Sequence, residues 1–159
     1  PRRDAGSPRR MCKLPEEIPN DEKIVRAIKT PYHIRSDGKL KHQAFKPKAG
    51  ISAISVVRHA MGSDFCKDKA VEIATPGYVG LAVVPAGDVR DCGSSVVDYR
   101  SDFCGHAHID HGFALLEEHE PGAPKLIERM RDRCSAIVNR CRFHSDPDPS
   151  GVGWKGITI

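Results

Sequence analysis

The densest run of chemically capable side chains is His106-Ala107-His108-Ile109-Asp110-His111. In an extended segment side chains alternate between two faces, so His106 and His108 share one of them. A turn after Ile109 is expected to bring Asp110 and His111 toward the same point. Imidazole and carboxylate are zinc ligands, and water on such a zinc is acidic enough for hydrolysis near neutral pH. Without a metal the same rings titrate near neutrality and suit acid–base work. Cys104 stands two residues before His106, so a thiolate–imidazole pair is geometrically attainable. The competing expectation is a hydrogen-bonded polar corner that holds no metal.

The spacing H-x-H-x-D-H resembles the metallo-β-lactamase signature. That resemblance implies one zinc held with the help of His106 and His108, and a second held by Asp110 and His111. The superfamily fold needs a longer chain and takes further ligands from well downstream, so the likeness is confined to this segment. A longer series of short stretches resembles a group of small, uncharacterised bacterial α+β proteins. It comprises Val25-Arg26-Ala27, Tyr32-His33-Ile34, Ala44-Phe45-Lys46-Pro47 and Ser55-Val56. It continues through Gly80-Leu81-Ala82-Val83, Gly87-Asp88-Val89-Arg90 and His106-Ala107-His108-Ile109. This resemblance implies a fold and a bacterial origin, but no activity. Arg26 or His33 followed by Ser55 is also similar in order to ADP-ribosyltransferase-like domains. There an Arg or His on the opening strand holds a nicotinamide dinucleotide and a Ser orders the site. The acidic E-x-E or Q-x-E element of such sites has no convincing counterpart here.

These residues must be positioned by local elements. Ile24–Ile28, Ile51–Arg58, Tyr78–Val84, Val96–Tyr99 and Ala107–Ile109 read as strands. Asp37-Gly38 is a turn signal between His33-Ile34 and Leu40. A helix is expected from Ser63 to about Ile73, stopped by Pro76-Gly77, and a short one within Pro85–Asp91. Leu126, Ile127, Met130, Cys134, Ile137, Val138 and Cys141 recur at three- and four-residue steps. They predict an amphipathic helix from Lys125 to Arg142, with Cys134 and Cys141 as core thiols on its apolar face.

Composition sets the frame. With 159 residues, 39% hydrophobic and 29% charged, the chain suits one globular domain. No apolar run is long enough to span a bilayer. The net charge is +4. Arg2, Arg3, Arg9 and Arg10 against Asp4 place most of it in the first ten residues, so a nucleic-acid partner is disfavoured. The six cysteines include no C-x-x-C pair, and no secretory pattern precedes them, so they read as cytoplasmic thiols. The expected fold class is α+β, a single compact domain with a mainly antiparallel sheet packed against a C-terminal amphipathic helix. Residues 1–20 are expected as a flexible basic, Pro-rich head, 21–145 as the domain, and 146–159 as an irregular tail. The functional expectation is an accessory or protein-partner-binding factor of a bacterial defence or toxin-like operon, with a His-rich polar site. The alternative is a small enzyme acting on a nucleotide or phosphoester, either ADP-ribosyltransferase-like or a zinc-dependent hydrolase. The candidate catalytic residues are Arg26, His33, Ser55, His106 and His108. Zinc, if bound, would use His106, His108, Asp110 and His111; otherwise no cofactor is expected.

Overall fold

The central strands are apolar on both faces, and the architecture explains why. The computed structural model describes residues 12–159. Its strands are β1 (Lys23–Lys29), β2 (Ala53–Arg58), β3 (Tyr78–Pro85), β4 (Ser95–Asp98), β5 (His106–Asp110) and β6 (Arg142–Ser145). They form one sheet in the order β4-β5-β2-β1-β3-β6, antiparallel at every pairing. The helices are α1 (Ser63–Ala74), α2 (Ala86–Asp91) and α3 (Ala123–Val138). Ile24, Ile28, Ile54, Val56, Ala107 and Ile109 pack with Met130, Cys134 and Ile137 of α3. On the other face Val25, Ala27, Val57, Leu81 and Val83 pack with Cys66, Ala70 and Ala74 of α1. Helices therefore cover both faces of the central strands, so Leu81-Ala82-Val83-Val84 reads as a continuous apolar run. The α+β class and the single domain are as the sequence predicts.

The C-terminal helix is shorter than its periodicity suggests. It ends at Val138, and bonds from Arg140 N to Ile137 O and from Cys141 N to Val138 O tighten the exit. Arg142–Ser145 then forms edge strand β6 against Gly80–Val83. The apolar period continues through the helix end because Cys141 and Phe143 pack on the same core as Met130 and Ile137. Gly80 permits the β3–β6 approach, since a Cβ there would meet the His144 carbonyl and the Phe143 ring.

Both ends of the described chain are tied down. Residues 1–11 of the predicted head lie outside the described residues. From Cys12 onward the lead-in is anchored rather than flexible. Cys12 and Cys104 form a disulfide, and Ile18 is only 2% exposed. Arg58 donates to Pro15 O at 2.6 Å and Arg100 to Leu14 O at 2.8 Å. Arg58, fully buried, also binds Glu22 through two nitrogens and Asp98 at 2.8 Å. Residues 146–159 form no helix or strand, yet they are packed. Lys67 is buried, reaches Asp146 at 2.9 Å, and donates to Asp148 O and Gly153 O. The Tyr78 hydroxyl donates to the same Asp146 carboxylate at 2.6 Å. No helix among the described residues is long and apolar enough to cross a membrane.

Candidate functional site

The histidine segment divides between the two faces of the sheet. In β5, Ala107 and Ile109 enter the core beneath α3, which turns His106 and His108 to the α1 side. The Phe103 ring stacks on His106 at 4.7 Å, and the Tyr99 ring on His108 at 4.1 Å. The two imidazoles meet edge to face at 5.0 Å. His106 is 4% exposed, and neither of its ring nitrogens is hydrogen-bonded. Its Nδ1 lies 3.3 Å from the Asp102 carboxylate, outside hydrogen-bond geometry. Burial pushes both rings below the usual histidine range, and His108 adds to the effect on His106. Both are therefore neutral at pH 7, inside an aromatic cluster.

His111 does not join them. Strand alternation carries it to the α3 face, because the extended backbone persists through Asp110 where the sequence predicted a turn. There Arg133 donates to Ser94 Oγ at 3.0 Å, Ser94 Oγ lies 2.7 Å from His111 Nδ1, and His111 Nε2 lies 2.8 Å from Phe45 O. Phe45 O can only accept, so Nε2 carries the proton and Nδ1 accepts from Ser94. The chain is fully satisfied and buried, with Ser94 and His111 both shielded from solvent. The Asp110 carboxylate accepts from Gly112 N at 2.8 Å and closes the turn. Among the described residues no three His, Cys, Asp or Glu side chains are grouped to hold a metal ion. Cys104 is consumed in the disulfide. This corrects the thiolate–imidazole expectation and removes the ground for reading all six cysteines as thiols.

Arg26, His33 and Ser55 are brought together elsewhere. Strands β1 and β2 are in register only at Ile24↔Arg58 and Val25↔Val57, and beyond that pair they separate. The Arg26 side chain fills the split. Its Nε donates to Ala44 O and its Nη1 to Ser55 O, each at 2.9 Å. A guanidinium has five N–H donors, so three remain uncommitted among the described residues. The split opens into a cleft of about 360 Å³, lined by Arg26, Lys29, His33, Lys46, Lys48 and Ser55 together with Ile51 and Ile73. Among the described residues no Asp or Glu lines it. Among the described residues none of its four cations forms an ion pair.

The electrostatics follow from that lining. Burial pushes the Arg26 guanidinium down to about 10, so it stays charged at pH 7. The nearby Cys134 thiol is pushed up to about 12 by its own burial and supplies no compensating charge. Lys29 N donates to His33 Nδ1 at 3.2 Å. Burial, then the charges of Arg26 and Lys29, push His33 down to about 4. The cleft thus presents four positive charges and a neutral imidazole. Lys29, Lys46 and Lys48 escaped sequence reasoning. Their one signal was the alternation Lys46-Pro47-Lys48, which reads equally well as a solvated loop. No family model, curated protein or solved structure matches this chain.

Proposed function

We propose that this protein binds a small phosphorylated anion in the β1/β2 cleft and acts as an accessory binding factor. The carrying observation is a cleft lined, among the described residues, by four cations and no carboxylate, and centred on a guanidinium already oriented by two main-chain carbonyls. Desolvating an uncompensated guanidinium costs several kcal/mol. A phosphate would offset that cost, because guanidinium geometry matches phosphate oxygens in a bidentate pair.

Binding is better supported than turnover. A general base works best with a pKa near the working pH, and His33 lies far below it. Among the described residues no carboxylate lines the cleft to share a proton or stabilise a sugar cation. The second expected site, His106 and His108, is packed into aromatic rings and belongs to the scaffold. A bacterial operon role is retained in this form, as a factor whose partner interactions depend on the bound anion.

The test is calorimetric titration with inorganic pyrophosphate at low ionic strength, on the wild type and on a Lys46→Ala/Lys48→Ala double variant at exposed positions. We expect saturable binding that weakens with added salt and at least tenfold in the double variant. Absence of heat and of any thermal stabilisation with pyrophosphate would overturn the reading.

A further inference from the structure

We infer that the anion held in the cleft is a nucleoside diphosphate, with its base lying on the apolar mouth formed by Tyr32, Ile51 and Ile73. The inference rests on the phosphate-binding reading above and extends it to the rest of the ligand. Ile51 and Ile73 line the cleft yet are 50% and 42% exposed. Tyr32 is 65% exposed, and its ring lies 5.9 Å from Lys29 Nζ, which also lines the cleft. Ile51 and Ile73 therefore stand in solvent at the basic opening, and Tyr32 stands in solvent beside Lys29, one of its lining residues. A ligand that fits has an anionic end for Arg26, Lys46 and Lys48 and a flat apolar end for the mouth.

The openness of the mouth selects the apolar end. Tyr32 offers a face on which a planar ring can stack, and stacking of a base on an aromatic side chain is sequence-tolerant and favourable. A prenyl diphosphate would need a closed apolar tunnel for its tail, whereas the isoleucines of this cleft, Ile51, Ile54 and Ile73, stand among Arg26, His33 and three lysines. A volume of about 360 Å³ lies at the small end of ligand sites, consistent with a ligand whose phosphates enter and whose base stays at the rim. Four cations also exceed what a single phosphate monoester requires, which favours two phosphates.

The experiment compares pyrophosphate, ADP, UDP and geranyl diphosphate by calorimetry on the intact chain. ADP is expected to bind at least fivefold more tightly than pyrophosphate, with UDP between them because a smaller base stacks less. Tyr32→Ala, at an exposed position, is expected to erase the ADP advantage so that ADP and pyrophosphate bind alike. Pyrophosphate binding with no gain for ADP overturns this inference and leaves the phosphate reading intact. Tighter binding of geranyl diphosphate than of ADP also overturns it. Failure of both pyrophosphate and ADP to bind overturns the phosphate reading itself.

Discussion

His33 is the residue that reports most directly on the cleft. Its imidazole is held neutral by burial and by the charges of Arg26 and Lys29. In a pH titration followed by NMR, its ring is expected to protonate only near pH 4 in the free protein, and higher once pyrophosphate neutralises the cleft. The linkage sign follows. The unfolded ring takes a proton near its ordinary value of 6.5 and the folded ring near 4, so between them the unfolded state binds more protons. Stability is therefore complete above about pH 6.5 and declines as pH falls toward 4, where His106, His108 and His111 push in the same direction. Urea midpoints are expected to drop between pH 7.5 and pH 5, and less steeply in His33→Gln. Ser94 offers a second test at this scale. Ser94→Ala leaves His111 Nδ1 buried without a donor and is expected to cost about 1–3 kcal/mol, measured by chemical denaturation. An unchanged midpoint would show that the Arg133–Ser94–His111 chain does not contribute.

Among the elements, β6 and the disulfide are where sequence reasoning fell short. The strands other than β6 and the first helix were legible from Ile- and Val-rich runs bounded by turn residues, and the turn at Asp37-Gly38 is present as well, with Lys39 N bound to Asp37 Oδ1 and Ile34 paired with Leu40. The end of α3 was not legible, because Cys141 and Phe143 satisfy the same apolar surface from a different backbone. Gly80 was the available clue, as a glycine inside an apolar strand marks a close backbone approach. Gly80→Ala is expected to cost about 1–3 kcal/mol through overpacking. Hydrogen exchange should then show the amides of Arg142–Ser145 losing protection while β1 and β2 keep theirs. The Cys12–Cys104 bond closes a separation of 92 residues, a pairing that spacing alone cannot reveal. Replacing both cysteines by serine is expected to remove about 2–4 kcal/mol, with matched urea curves in reductant as the check. Coincident wild-type curves with and without reductant would contradict this.

Across the whole molecule the division of labour follows the sheet. The face beneath α3 holds the main core and the His111 chain, the face beneath α1 holds the aromatic cluster and the packed tail, and the cleft lies where β1 and β2 part. Arg26, His33 and Ser55 were visible as candidates from their order along the chain. The three lysines were not, because only the fold gathers positions 29, 46 and 48 at one opening. His106 and His108 drew attention by type; the fold buries His106 and stacks the half-buried His108 on Tyr99. A charged group that the described residues leave without a carboxylate ties the folded population to the solutes around it. Any anion that prefers the native cleft raises stability with its concentration, by about 2.7 kcal/mol at one hundred times its dissociation constant. If the cleft holds its proposed anion, the survival of the purified protein against a protease would rise with the concentration of that anion.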